Sequence, residues 1–325
     1  MSREANEIEG LYKTKLSEQQ LNEVTQRAFG CSIVSLIELS DGWANSAYSI
    51  QLDDGRRVVL KARPPVTTQF MRSEVDTMRT EVNAMNQLAG IEGLPIPRIY
   101  RYDASFTLLP VEYYMMEHLE GTPYNHVKES MPETEREAVE HQLGVMNRLI
   151  NQVRGKRFGF YSGTQHDSWK DAFREMIFGV LEDGEDAEVT LTIPYSELKE
   201  QIELRLGVLD EVKEPQLVHW DLWDGNVFVK DGKVTGIIDF ERALWGDPLM
   251  EVYFGRFNPS AAFRQGYGLW LTEPSQMARR TLYDLYLDLI LHIECAYRKY
   301  ENKEHVQWAY DNLVESLKRF RNSTQ

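Results

Sequence analysis

The chain has 325 residues, enough for two folding units or one large bilobal unit. Hydrophobic residues make up 42%, charged residues 27% and aromatic residues 11%, with no internal repeat, which excludes a disordered or fibrous chain. Lys and Arg total 36 against 51 Asp and Glu, a formal charge of -15 that opposes nucleic acid and anionic membranes as partners.

Cys31 and Cys295 lie far apart, with no CxxC and no His cluster near either, so neither a disulfide framework nor a zinc site is indicated. The start MSREANEIEG is polar and acidic, and no 18-residue stretch is free of charge. The expectation is a soluble, cytoplasmic protein.

In chain order, residues 16–28 carry apolar side chains at helical spacing. Residues 32–39 and 47–52 read as two strands joined by Ser40-Asp41-Gly42-Trp43-Ala44-Asn45-Ser46. Asp53-Asp54-Gly55-Arg56 is a turn, and residues 57–62 form a third strand that stops at Pro64-Pro65. A helix over 72–88 ends at Gly90 and Gly93, before a loop LPIPRIY; 110–116 is a further strand. Beyond Gly121-Thr122-Pro123 the chain turns helical, with helices expected over 132–152, 168–181, 195–212 and 275–320. The acidic run from Glu182 to Glu188 reads as a solvated loop. The shift from strand to helix predicts an N-terminal lobe over 1–116, a hinge over 117–121 and a helical lobe over 122–325.

Charged residues inside apolar patterns mark the candidate site. Glu74, Met78, Glu81, Met85 and Leu88 recur at steps of four and three, so they share a helix face, and Glu81 sits mid-stripe where it needs a cation. Lys61, on the same strand face as Val59, is the nearest candidate. The pattern alone leaves open whether the two meet or snorkel out to solvent. Further on, Asp231-Gly232 signals a two-residue hairpin between alternating apolar runs. That turn places Lys230 opposite Lys233, Val229 opposite Val234 and Asn226 opposite Ile237, with Asp239 the diagonal neighbour of Asn226 at about 7 Å. An amide oxygen and a carboxylate there make a hard-oxygen site suited to magnesium, and Asp221 faces the same mouth from the preceding loop.

These residues resemble the aminoglycoside phosphotransferase and choline kinase-like group, relatives of the protein kinases. His219-Trp220-Asp221 with Asn226 resembles the kinase catalytic loop, and Ile238-Asp239-Phe240-Glu241 the kinase metal-binding motif. Lys61 and Glu81, twenty residues apart, match the ion pair that clasps the nucleotide phosphates. The resemblance spans about residues 33–255 and implies an α+β, bilobal protein kinase-like fold, with a small antiparallel-sheet lobe before a larger helical one. It implies an ATP- or GTP-dependent O-phosphotransferase in which Asp221 takes the acceptor proton, Asn226 and Asp239 hold Mg2+, and Lys61 holds the phosphates. It also places backbone amides near Asn45 and Ser46 at the phosphates, Met116 behind the adenine, and backbone groups of Glu117 and Leu119 beside it.

Some features depart from the family pattern. The phosphate loop lacks G-x-G-x-x-G, and Trp220 stands where most members have a small residue. The run Asp-Leu-Trp-x-Gly-Asn is similar to fructosamine kinases, so a fructosamine, choline or homoserine type of metabolite kinase is the alternative, and a silent kinase-fold binding protein a more distant one. A protein kinase is disfavoured because Gly246-Asp247-Pro248 follows Asp239 too soon for an activation segment. Asp247 is expected to brace the catalytic loop, and His219 to fix it by hydrogen bonds. The acceptor is expected to be a neutral or cationic hydroxyl compound, drawn by Asp183, Glu185, Asp186, Asp284, Asp288 and Glu294.

Overall fold

A computed structural model describes residues 13–39, 45–65 and 67–322. The first helix, α1 (Glu18–Phe29), is closed at its start by Ser17 and Gln20, whose side chains bond each other's backbone N–H groups, and at its end by Gly30 in the left-handed conformation. Strands β1 (Ile33–Leu39), β2 (Ser46–Leu52) and β3 (Arg57–Ala62) follow, then helix α2 (Thr77–Leu88) and strands β4 (Ile99–Asp103) and β5 (Tyr113–Glu117). They form one antiparallel sheet in the order β1-β2-β3-β5-β4. β4 lies in the segment read as a loop: the prolines precede it, and it pairs only with β5, as an edge strand can.

Period-2 alternation divides this sheet between two cores. Val58, Leu60, Ala62, Tyr48 and Ile50 pack with Leu21 and Val24 of α1, whereas Val59, Tyr114 and Met116 pack with Met78, Val82 and Met85 of α2. Lys61 alternates with Leu60 and so shares the α2 face with Val59. The expected helix over 72–88 is interrupted. Residues Arg72–Glu74 form a short 3-10 turn, Val75 is extended, and Asp76 is left-handed before α2 begins. Glu74 therefore leaves the stripe shared by Met78, Glu81, Met85 and Leu88; its carboxylate accepts from the Met71 N–H and pairs with Arg298.

The remainder is mainly helical. β6 (Thr122–Pro123), α3 (Tyr124–Val127) and α4 (Glu133–Asn151) lead to β7 (Phe158–Phe160), β8 (Gln165–His166), α5 (Trp169–Asp186) and α6 (Tyr195–Glu203). β9 (Gln216–Val218), the hairpin β10 (Val227–Lys230) and β11 (Lys233–Ile237), and β12 (Leu244–Gly246) precede α7 (Ala261–Tyr267), α8 (Pro274–Arg298) and α9 (Lys303–Asn322). The expected single helix over 275–320 is thus two, divided where Lys299 adopts the left-handed conformation. The acidic run is no solvated loop: it completes α5, and Asp183 is buried against Arg72, which also pairs with Asp186. α5 and α8 meet through Trp169, Phe173, Tyr283 and Tyr286, all fully buried, with the Trp169 indole N–H donating to the Tyr283 hydroxyl at 2.8 Å. No helix among the described residues is long and apolar enough to cross a membrane.

α4 and α7 approach closely because each offers a glycine to the other's backbone. A methyl group at Gly144 would meet the Phe263 carbonyl oxygen at 2.1 Å, and one at Gly266 the His141 carbonyl oxygen at 2.1 Å. Gly144→Ala gains about 1 kcal/mol of helix propensity, but main-chain atoms cannot rotate aside, and overpacking costs about 1–3 kcal/mol or more. The expected result is a lower denaturant midpoint with an unchanged slope; an unchanged midpoint would show that the two helices part freely.

Candidate active site

Three separated segments meet at one ammonium. Lys61 Nζ lies 2.8 Å from Glu81 Oε2 on α2, 2.7 Å from Asp239 Oδ1 just after β11, and 3.9 Å from Glu241 Oε2. The three carboxylates lie within 4.8 Å of one another. Lys61 is held protonated: burial opposes its charge, but Asp239, Glu81 and Glu241 outweigh it and raise its pKa well above the usual value. One ammonium does not neutralise three carboxylates, so burial, helped by Asp239 and Glu241, raises Glu81 to about 7. Lys61 and Glu81 therefore meet rather than snorkel.

The hairpin carries Asn226 and Asp239 to the same place. Asp231 and Gly232 both have positive φ, as a two-residue turn of this kind requires, and Lys230 faces Lys233 and Val229 faces Val234 as expected. A bulge between Phe228 and Val229 then shifts the register, so that Val227, not Asn226, faces Ile237. Asn226 instead accepts through its carbonyl from the Ile238 N–H at 3.0 Å, one residue from Asp239. Asp239 is left-handed with φ of 69°, a conformation Asp tolerates and one that turns the chain out of β11.

The preceding loop is fixed from beneath. The His219 Nε2–H donates to the Ile238 carbonyl at 2.9 Å, and its Nδ1 accepts from the Asp221 N–H at 3.2 Å, so the buried ring is neutral, with its pKa lowered chiefly by burial. Asn226 Nδ2 donates to the Asp221 carbonyl at 2.8 Å, which leaves the amide oxygen of Asn226 for other partners. Asp221 is pushed up to about 7, mainly by burial; Arg242 lowers it while Asp239, Glu241 and Glu294 raise it. Trp220, with φ of 64°, holds a left-handed conformation that bulky residues avoid, and its ring stacks on Tyr286 of α8 at 5.1 Å.

The brace expected from Asp247 comes from another residue. Asp247 accepts from the Leu249 N–H, from Arg279 at 2.8 Å and from the Tyr283 hydroxyl at 2.7 Å, tying the chain after β12 to α8 rather than to the catalytic loop. Glu251, fully buried, accepts from the His219 N–H at 2.9 Å, the Trp220 N–H at 3.1 Å and the Asn147 side chain at 3.0 Å. Sequence reasoning missed it because a lone Glu in an apolar run carries no periodic signal. Glu241 was also missed as a site residue, although it belongs to the quoted motif; the Asn45 side chain donates to it at 2.9 Å.

The remaining expected positions divide. The Ser46 side chain lies on the α1 face with Tyr48 and Ile50, opposite to Lys61, so only its backbone can face the site. Residues 40–44 of the phosphate loop fall outside the described residues. Met116 is buried on the Lys61 face beside Val59. The Glu117 N–H is occupied by the Arg98 carbonyl at 2.9 Å, and Leu119 packs on β11, where a methyl at Gly236 would meet its Cδ1 at 2.3 Å. The acids expected to attract a cation are each paired: Asp183 and Asp186 with Arg72, Glu185 with Lys199, Asp284 with Arg280, Asp288 with Arg256 and Glu294 with Arg242. They present no free acidic face.

With this geometry in place, comparison with known proteins is decisive at the level of family. The model of the phosphotransferase enzyme family, APH, matches residues 35–280. The chain belongs to this family. It is a small-molecule phosphotransferase with a kinase-like fold. Among solved structures, the aminoglycoside phosphotransferase APH(4)-Ia is 19% identical with a TM-score of 0.69, covering 95% of this chain and 100% of its own. A thermostable mutant of that enzyme in ternary complex with AMP-PNP and hygromycin B is 21% identical with a TM-score of 0.67, covering 94% and 100%. A candidate fructosamine-3-kinase from Haemophilus somnus is 18% identical with a TM-score of 0.68, covering 92% and 97%. At such identities the likeness is one of fold. No curated protein matches the chain.

Glu251→Ala removes the acceptor for two catalytic-loop N–H groups, and a buried donor left unpaired costs about 1–3 kcal/mol. The expected result is a lower melting temperature together with a fall of about tenfold or more in turnover; full turnover in the folded variant would show that the loop holds its shape without it.

Proposed function

We propose that this phosphotransferase transfers the γ-phosphoryl group of ATP or GTP to a hydroxyl of a small molecule, with magnesium. The observation that carries the reading is the junction of Lys61 with Glu81 and Asp239 at 2.8 and 2.7 Å, beside a loop that presents Asp221 and Asn226. Residues 1–116 are assigned to a nucleotide-binding lobe, 117–121 to a hinge and 122–325 to the lobe that carries the acceptor site.

The residues present fit a hard cation. Asp239 and Glu241, with the amide oxygen of Asn226, offer oxygen ligands, and three carboxylates around one lysine leave an excess of negative charge. When bound, magnesium supplies charge neutralisation to the phosphates. Lys61 releases part of its hold on Asp239 to meet the phosphates, while Glu81 keeps the ammonium in place. Met116 and Leu119 flank the base, the Glu117 carbonyl offers it an acceptor, and backbone near Asn45 and Ser46 faces the phosphates. Asp221 orients the acceptor hydroxyl and takes its proton as the acceptor oxygen bonds to phosphorus and the bridge to the nucleoside diphosphate breaks. A neutral or cationic acceptor agrees with the charge of -15.

Two measurements test these roles. Asp221→Asn should lower turnover by about a hundredfold or more while nucleotide still binds, and Asp239→Asn should remove the magnesium dependence of nucleotide binding followed by calorimetry. Wild-type turnover in the first, or a magnesium titration matching wild type in the second, would refute the corresponding role. The pH profile follows from the raised pKa of Asp221. Below it the carboxyl is protonated and cannot accept a proton, so kcat/KM for the acceptor should rise with pH through about 7 and level off above. A limb near 4 would show that Asp221 behaves as a solvated carboxylate.

A further inference from the structure

The turn that delivers Asn226 is held from outside by one side chain. Asp224, Gly225 and Asn226 form a short 3-10 turn that no side chain caps at its start. Gly225 contributes no side chain, and a methyl there would meet the Trp223 ring at 2.2 Å. Asn226 is buried and spends its own donors within the loop: the backbone N–H on the Trp223 carbonyl at 3.0 Å, and Nδ2 on the Asp221 carbonyl at 2.8 Å. Only Asp224 reaches away. Its Oδ1 accepts from the Tyr253 hydroxyl and from Asn258 Nδ2 at 3.2 Å, and its Oδ2 accepts from Lys128 Nζ at 2.8 Å.

Lys128 arrives from a distant part of the chain. It directly follows α3, and α3 follows β6, which pairs with β10 through Pro123 opposite Phe228 and Thr122 opposite Val229. The segment after Gly121 thus meets the site hairpin by main-chain pairing and the turn before it by charge. The lysine is not a loose surface side chain. Its Nζ also lies 3.3 Å from Glu140 Oε1 on α4 and sits over the Tyr124 ring at 5.2 Å. Glu140 is fixed in turn by the hydroxyls of Tyr124 at 3.2 Å and Ser260 at 2.6 Å. Burial opposes the charge of Lys128, but Asp224 and Glu140 outweigh it and keep the ammonium protonated.

A ligand oxygen serves a cation best when its direction is set before the ion arrives, and the groups behind the ligand set it. The side chain of Asn226 is pinned through Nδ2, so the direction of its amide oxygen follows the turn, and the turn follows Asp224. Resting on the magnesium-dependent reading above, we propose that Lys128 and Asp224 are a positioning pair for Asn226, fixing the turn from which its amide oxygen is offered to the cation. Neither residue acts on the reacting atoms; both act through Asn226.

The test is calorimetry of the full chain with a non-hydrolysable ATP or GTP analogue, whichever wild type binds, across a magnesium titration and without any acceptor. Lys128→Met keeps the length of the side chain and removes its charge. The magnesium midpoint should rise about tenfold or more, as losses behind a metal ligand typically do, while nucleotide affinity at saturating magnesium stays within about threefold of wild type. Asp224→Asn should move the midpoint in the same direction, and as the milder change it decides the matter if Lys128→Met does not fold. Lys128→Arg restores the charge and should recover most of the loss. The double variant should move the midpoint no further than the larger single change, because the two residues act as one unit. A melting temperature that falls while the magnesium midpoint stays at the wild-type value would identify the pair as a strut and overturn the proposal. So would single shifts that add in full in the double variant. The two readings fail separately: wild-type nucleotide binding that ignores magnesium removes the reading beneath, whereas a magnesium dependence that the variants leave unmoved removes only the pair.

Discussion

A single ammonium shared by three carboxylates organises this molecule. Lys61 belongs to the sheet, Glu81 to the helix that covers it, and Asp239 and Glu241 to the segment that leaves the β10–β11 hairpin. None of these charges is stable in the interior alone, since an unpaired buried charge costs several kcal/mol. Each element is therefore held in register by the others. The excess of one sign that remains distinguishes the junction from a closed, neutral ion pair.

The loop that carries Asp221 is held on different terms. Its backbone is strained at Trp220 and turned by hydrogen bonds to His219 and Glu251, both buried. Glu251 serves as a four-way acceptor between the loop and α4, where Asn147 and Asn151 reach the same carboxylate. The charged junction thus positions Lys61, Asp239 and Glu241, while hydrogen bonds converging on His219, Asn226 and Glu251 position Asp221.

Much of this was legible in the residues, and what was not has physical causes. Lys61 and Glu81 stood out because a charge inside an apolar stripe demands a partner, and Asp231-Gly232 fixed the first two pairs of its hairpin because that dipeptide favours one turn. The bulge that follows leaves no local mark, so Asn226 was placed one residue off. The 3-10 turn at Arg72–Glu74 and the break at Lys299 were hidden because apolar spacing continues through both while long-range partners, Arg298 among them, reshape the chain. The acids at 183, 288 and 294 read as a solvated or attracting face because sequence shows a charge but not the arginine, from a distant segment, that buries it. The difference between Asp247 and Glu251 was similarly invisible, since both sit in one apolar run and only the fold decides which backbone each one reaches.

The stack of Trp220 on Tyr286 has a mechanical meaning. Tyr286 lies on α8, the 25-residue helix that also carries Glu294 and Arg298. Trp220 immediately precedes Asp221 and is fixed on the other side by Glu251. The two rings therefore couple α8 to the main chain that leads into Asp221. The main chain at Asp221 is therefore positioned from the helical lobe, while Lys61 reaches the same site from the sheet.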